Sequence, residues 1–429
     1  MSNCFTKLLI IADDFTGAND SGVQMTKKGA QVNVYFEWES PLLASESNVI
    51  VINTDSRAIP TLEAKERIKT VIKNNKDEHL IYKKIDSTLR GNLGSEIEAI
   101  LNHSNYEAAI IVPAFPDMKR TVKNGILFVN SKPLKETEFA TDPKTPIYSS
   151  NIKQILAQQT PLKSYELSLD IIKNGQLAPT INEQLAKGIK LFIIDTETNQ
   201  DLQSIVEQIK TIKNKLLLVG SAGLIQFLPT DFNKKELSHS QNKKSPLLVI
   251  AGSMSETTQA QIEYALKHGE NWHIIDLDIN NCIPHFSNED IDRYATQING
   301  ALLKNQHVIL RTCKNSDVRF QIEDLCKQHH ISRQQLGEHI ASCLGKISQR
   351  ISIKNLFLTG GDIAIAVAKA LGANGFYIEG EVTAGVPFGK LIKGTQKQDY
   401  RIFTKAGGFG EPDILIKSLD YIGDKWCQK

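Results

Sequence analysis

Neither common nucleotide fingerprint occurs in this sequence, which contains no GxGxxG and no GxxxxGK[ST]. A nicotinamide-type dinucleotide turn and a P-loop are thereby set aside as the basis of any phosphate site. The six cysteines, Cys4, Cys282, Cys313, Cys326, Cys343 and Cys427, include no CxxC pair and have no histidine cluster beside them. That pattern excludes a zinc-ligand spacing and points to reduced, structural thiols. No apolar run reaches the ~18 residues that would suggest a membrane span, and no secretory leader is expected ahead of the first strand-like run. A soluble cytoplasmic protein with no membrane partner is expected. Nor is there an excess of either charge, since 50 Lys and Arg face 48 Asp and Glu for a net charge of +2, with the lysines scattered. No nucleic-acid partner is expected from that balance, and small-molecule chemistry is favoured.

What is present is ample: 429 residues, 41% of them apolar, more than a single core usually organises. A polar, lysine-rich stretch between Pro229 and Pro246 has neither helical nor strand periodicity. It predicts a first domain over 1–229, a linker over 230–245 and a second domain over 246–429. Before it, strand-like runs at Val32–Phe36, Val49–Asn53, Leu80–Lys84, Ala108–Val112, Leu191–Asp195 and Leu216–Val219 alternate with helical patterns. After it, the alternation restarts at Pro246–Ala251 and continues through His273–Leu277, Val308–Thr312 and Asn355–Thr359. The expected fold class is α/β, with two α/β domains built on mainly parallel sheets. The proline-rich stretch Ser131–Ser150 is expected to be irregular and to lie across a surface or a site mouth.

The first apolar run ends in Ile11-Ala12-Asp13-Asp14-Phe15-Thr16-Gly17-Ala18-Asn19-Asp20. Strand C-termini are where open α/β sheets bind ligands, so a candidate site begins at Asp13. Turn chemistry alone, with Thr16 capping the following helix, would account for one acid. Two consecutive aspartates after a buried strand need a partner, a metal or a ligand. Two further strand ends carry similar chemistry: Asn53-Thr54-Asp55-Ser56-Arg57, and Lys84-Ile85-Asp86-Ser87-Thr88-Leu89-Arg90. Arginine and lysine suit a carboxylate, while Asp and Ser suit hydroxyl groups. The competing interpretation is that Arg57 and Arg90 merely pair with nearby aspartates to order the loops.

In the second half, glycine turns follow strands at Gly252-Ser253-Met254-Ser255, Thr359-Gly360-Gly361-Asp362 and Ala406-Gly407-Gly408-Phe409-Gly410. Glycine lets backbone N–H groups approach an anion, and a helix start adds aligned donors. Each turn alone is a weak signal; three from one sheet suggest a nucleotide cradle. The segment Gly385-Val386-Pro387-Phe388-Gly389-Lys390-Leu391 is faintly P-loop-like but wrongly spaced.

Taken together, IADDFTGAND at Ile11, NTDSRA at Asn53, YKKIDSTLRGN at Tyr82, VPAFPDMKRTVKNG at Val112, PLKETEFATDP at Pro133, GSMS at Gly252, LTGGD at Leu358 and KAGGFGEPD at Lys405 resemble the four-carbon acid sugar kinases nearly end to end. The resemblance implies a sugar-acid-binding N-terminal domain and a nucleotide-binding C-terminal domain. It implies an ATP-dependent kinase acting on the terminal hydroxyl of a four-carbon sugar acid, D-threonate first, with D-erythronate or a 3-oxo-tetronate as alternatives. Carried over by position, it puts Asp13, Arg57, Lys84, Asp86 and Ser87 at the acid, with Asp14 and Arg90 close by. Ser253, Gly360, Gly361, Asp362, Gly407 and Gly408 fall at ATP, and Lys405 is a further candidate there.

Phosphoryl transfer chiefly needs alignment and charge neutralisation. Arg57, Lys84 and Arg90 are expected to anchor the carboxylate, with ATP reached across a closing interdomain cleft. Asp13 is the expected catalytic base among Asp13, Asp14 and Asp86. Mg²⁺ is expected with ATP, on no named protein ligand. A homodimer would be unsurprising. A non-catalytic sugar-acid sensor and an NAD-dependent oxidoreductase are the rivals from other classes, the second disfavoured by the missing dinucleotide fingerprint.

Overall fold

The computed structural model describes residues 7–39, 47–75, 80–142, 144–230, 232, 245–253, 255–283, 286–314 and 316–422. The chain divides into two compact units, Met1–Lys234 and Lys235–Lys429. Of the expected linker 230–245, only Thr230, Phe232 and Ser245 are among the described residues, and Cys4, Cys427, Pro143 and Met254 also lie outside them.

In the first unit, eight strands stand in the order Val32–Tyr35, Val49–Asn53, Leu8–Ala12, Leu80–Lys84, Leu216–Gly220, Ala108–Val112, Leu191–Ile194 and Ser164–Leu167. All neighbours run parallel. Leu8–Ala12 is buried along its whole length, as a parallel strand covered on both faces requires. Its five apolar residues each contribute about 1.5–3 kcal/mol, less for alanine, on leaving water. Register then positions the chemistry. Ala12 pairs with both Asn53 and Lys84, and Lys84 also pairs with Gly220, so these strands end level and their turns open at one edge.

The helix Phe15–Lys27 starts directly after the first strand, and its cap is Asp14, which accepts from the Gly17 N–H, rather than Thr16. The sequence did not announce the small antiparallel sheet of Arg120–Lys123, Ile126–Val129 and Lys132–Pro133. Its first turn is Asn124-Gly125, both at positive φ (51° and 68°), the conformation that this dipeptide favours in tight hairpins. Asp195 fixes that turn by accepting from the Asn124 and Gly125 N–H groups at 2.7 and 2.9 Å. The proline-rich stretch is therefore less irregular than expected. It opens in the Lys132–Pro133 strand and continues through two 3₁₀ turns, Leu134–Glu136 and Glu138–Thr141.

The second unit orders its strands Trp272–Asp276, His307–Arg311, Leu248–Ala251, Asn355–Thr359, Gln396–Lys405, Pro387–Lys393 and Gly375–Glu381. The first five are parallel and the last two antiparallel. Here too the register is level, with Ala251 paired to Thr359 and Thr359 to Lys405. A glycine turn follows each of those three ends. The faintly P-loop-like segment is mostly strand, since Pro387–Leu391 belong to the Pro387–Lys393 strand. Cys282, Cys313, Cys326 and Cys343 are buried, and Cys282, Cys326 and Cys343 are free thiols. Among the described residues no helix is long and apolar enough to cross a membrane.

Candidate functional site

In the first unit, the turn after Asn53 is folded back onto the turn after Ala12. The Ser56 and Arg57 N–H groups donate to the Asp13 carbonyl at 2.9 and 3.2 Å. Asp55 takes a left-handed φ of 47°, and Arg67 holds the turn from behind through the Thr54 and Asp55 carbonyls at 2.8 and 2.9 Å. Arg57 is thereby aimed at both aspartates. Its Nε and Nη2 donate to the two Asp13 oxygens at 2.8 and 2.9 Å, a bidentate fork, while Nη1 reaches Asp14 Oδ2 at 2.8 Å. Asp13 is nearly sealed, its side chain 3% exposed against 25% for Asp14. Gly91 closes over it: at φ +100°, a Cβ there would sit 3.2 Å from Asp13 Oδ2.

The turn after Lys84 builds a second ion pair. Arg90 Nε donates to Asp86 Oδ2 at 2.6 Å, and the Thr88 hydroxyl donates to the same oxygen at 2.5 Å. Thr88, rather than Ser87, thus supplies the hydroxyl on Asp86, and Ser87 is half-buried beside it. Arg90 also donates through Nη1 to Asp142 at 2.9 Å and lies 5.3 Å from the Phe139 ring centroid. Asp142 was not among the residues singled out from the sequence, since nothing local to it signals a partner 52 positions away.

Alternation along Leu80–Lys84 separates two adjacent lysines. Lys84 reaches the site, where its Nζ donates to the Ile85 carbonyl at 2.9 Å and lies, like Asp14 Oδ1, against Gly17. Lys83 points the other way, fully buried, into a 2.7 Å ion pair with Glu96. Ser56 donates to the other Glu96 oxygen and shares a 2.7 Å hydrogen bond with Thr54.

These pairings set the acidities. Burial opposes ionisation of Asp13, but the Arg57 fork, with Lys83 and Lys84 beyond it, prevails and holds the carboxyl below its usual range. Asp14 moves the other way: burial, with the Asp13 and Asp86 charges, outweighs Arg57 and Lys84 and raises it. Asp86 is also buried, yet Arg57, Arg90 and Thr88 hold it well below the ordinary carboxylate range.

In the second unit the expected nucleotide residues converge. Ser255 caps the helix Glu256–His268, and the Ser253 hydroxyl donates to Ser255 Oγ at 3.2 Å. Ser253 packs so tightly on Gly407 that a Cβ there would meet its Oγ at 2.1 Å. Gly360, at φ +97°, caps the helix Gly361–Ala370, with Asp362 in its first turn, and donates its N–H to the Lys405 carbonyl at 2.9 Å. A Cβ on Gly408 would meet nothing within 4 Å. Lys405 is buried beneath this turn, and burial lowers its ammonium to about 8. Among the described residues, no group of three or more His, Cys, Asp or Glu side chains is placed to hold a metal ion.

Two domain models match the chain, a sugar-binding N-terminal domain over residues 8–228 and a nucleotide-binding C-terminal domain over 248–415. The chain is thus of the class that joins a sugar-binding unit to a nucleotide-binding one. A D-threonate kinase of Salmonella typhimurium is 39% identical, over 98% of this chain and 99% of its own length. A D-erythronate kinase of Heliobacterium modesticaldum is 29% identical over 97% of each. A solved structure from Haemophilus influenzae superposes with a TM-score of 0.78 at 25% identity, covering 96% of this chain and 99% of that one. The protein belongs to the four-carbon acid sugar kinase family.

Proposed function

We propose that the protein transfers the terminal phosphoryl group of ATP to the 4-hydroxyl of a four-carbon sugar acid, D-threonate to 4-phospho-D-threonate. The observation that carries this reading is the joining of Asp13, Asp14, Arg57, Lys84, Asp86 and Arg90 by level strand ends into one cluster, in a chain so similar to a D-threonate kinase. D-Erythronate and a 3-oxo-tetronate remain the alternative acids.

Arg57, Lys84 and Arg90 supply the positive charge that a carboxylate requires, and Asp86 with Ser87 supplies groups for hydroxyls. Asp13 was expected to take the hydroxyl proton. Its geometry suits a different task, because its side chain is almost sealed, 3% exposed against 25% for Asp14, although Arg57 reaches both oxygens of each acid. We therefore assign Asp13 to fixing Arg57 and place the proton acceptor on Asp14, the more exposed acid, whose raised pKa makes it the stronger base. In the second unit, Ser253, Gly360, Gly361, Asp362, Gly407 and Gly408 are assigned to ATP. Mg²⁺ would arrive on the nucleotide, held by phosphate oxygens and water, and no protein ligand is assigned to it.

The test is ADP release with Mg²⁺-ATP against D-threonate, D-erythronate, L-threonate and 3-oxo-tetronates. A signal from one acid identifies the substrate; silence across the panel despite ATP binding favours a sugar-acid sensor. Asp14→Asn should lower kcat severely with ATP affinity unchanged, whereas near-normal turnover removes Asp14 as the base. Free, buried cysteines fit a cytoplasmic location. The proposed homodimer is tested by light scattering.

A further inference from the structure

The loop Ala406–Gly410 is held almost entirely by its carbonyls. The Gly407 carbonyl accepts from Ser255 Oγ at 2.5 Å, Lys405 Nζ at 3.0 Å and Thr258 Oγ1 at 3.1 Å. The Ala406 carbonyl accepts from Lys405 Nζ at 3.2 Å, and Gln261 Nε2 donates to the Phe409 and Gly410 carbonyls at 2.9 and 2.8 Å. Lys405 completes its set of three donors on Thr258 Oγ1 at 3.0 Å. In a planar trans peptide the C=O and the following N–H point in opposite directions. Tying the carbonyls of 406, 407, 409 and 410 to one side therefore turns the N–H groups of Gly407, Gly408, Gly410 and Glu411 to the other. A row of such donors suits an anion, and the open space at Gly408 leaves room for one to approach.

We propose that Lys405 is a positioning residue for nucleotide phosphate, acting from beneath the loop by holding its carbonyls inward and without touching the ligand. This rests on the assignment of the glycine turns to ATP. Gln261 does the same work without charge, and that separates positioning from direct attraction. A lysine that bound phosphate directly would act through its charge alone, and Gln261 would then be irrelevant to ATP.

The experiment compares wild type, Lys405→Met and Gln261→Leu as full-length proteins, measuring kcat, the KM for ATP and for the acid, and direct binding of ATP. Both variants should raise the KM for ATP by about tenfold or more, the scale of one lost charged or buried hydrogen bond, with kcat and the KM for the acid within about twofold of wild type. The proposal is overturned if Lys405→Met weakens ATP while Gln261→Leu does not, or if either variant lowers kcat at an unchanged KM for ATP. Should Lys405→Met fail to fold, Gln261→Leu alone decides, since wild-type ATP affinity in that variant refutes the positioning role. Absence of ATP binding by wild type would instead overturn the nucleotide assignment itself.

Discussion

Gly17→Ala probes the acid-side cluster without removing a single charge. A Cβ at Gly17 would lie 2.6 Å from Asp14 Oδ1 and 2.9 Å from Lys84 Nζ. Ordinary contact begins at 3.4 Å, so the Asp14 carboxylate must retreat by about 0.8 Å, as 3.4 less 2.6, and the ammonium by about 0.5 Å, as 3.4 less 2.9. Asp14 then loses its alignment with Arg57, now 2.7 and 2.8 Å away, and with the Gly17 N–H. Stability should hardly change. Alanine in a helix gains about 0.5–1 kcal/mol over glycine, and weakening an N-cap costs about 1 kcal/mol, so the two nearly cancel. Activity should change much more, because misplacing a reacting group by about 1 Å costs on the order of 100-fold. Thermal unfolding and steady-state ADP release on the same preparation make the comparison. A variant with an unshifted Tm and kcat/KM for the acid lowered by at least about tenfold supports the site. Wild-type kcat/KM would refute the placing of Asp14 and Lys84 at the reacting acid.

Glu96→Gln should destabilise the first unit by about 3–5 kcal/mol, because Lys83 would stay fully buried opposite a neutral amide; a loss below about 1 kcal/mol in denaturant titration would contradict the pairing. Asp13→Asn should impair binding of the acid more than of ATP, since it releases one side of the Arg57 fork; equal losses for both ligands would count against that role. Lys405, lowered from 10.5 to about 8 by burial, binds its proton more weakly in the folded than in the unfolded chain. The unfolding free energy of wild type relative to Lys405→Met should therefore rise between pH 8 and 10.5, by about 3 kcal/mol in all, the cost of the buried charge being fully present below pH 8. A difference that stays flat over that window would mean the ammonium is not desolvated.

The parallel strands were legible because burial on both faces leaves continuous apolar runs, as at Leu8–Ala12 and Asn355–Thr359, where the pattern has no other interpretation. The adjacent aspartates at 13 and 14 were legible too, since no packing argument explains both. Their unequal burial was not. That Arg57 reaches both of them depends on the fold of the turn at Asp55, and no residue pattern reports a guanidinium's direction. Lys83 and Glu96 were missed for a related reason: two consecutive lysines at a strand end look equally exposed until the strand's faces are assigned. Asp142 was missed because its partner is 52 residues away, and the strands from Gly375 to Lys405 because glycine and charge interrupt their alternation.

The Lys83–Glu96 pair also acts as a key for strand registration. Side chains alternate along a strand, so sliding Leu80–Lys84 by one residue in one direction would turn Lys83 to the other face and drive Tyr82 into the space beside Glu96, while the opposite slip would bring Lys84 there and take it from the site. An isolated buried carboxylate costs several kcal/mol, more than hydrophobic residues such as Leu80 and Ile81 could distinguish between one alignment and the next. The native alignment is the one that keeps Lys83 on Glu96 while bringing Lys84 level with Ala12 and Gly220.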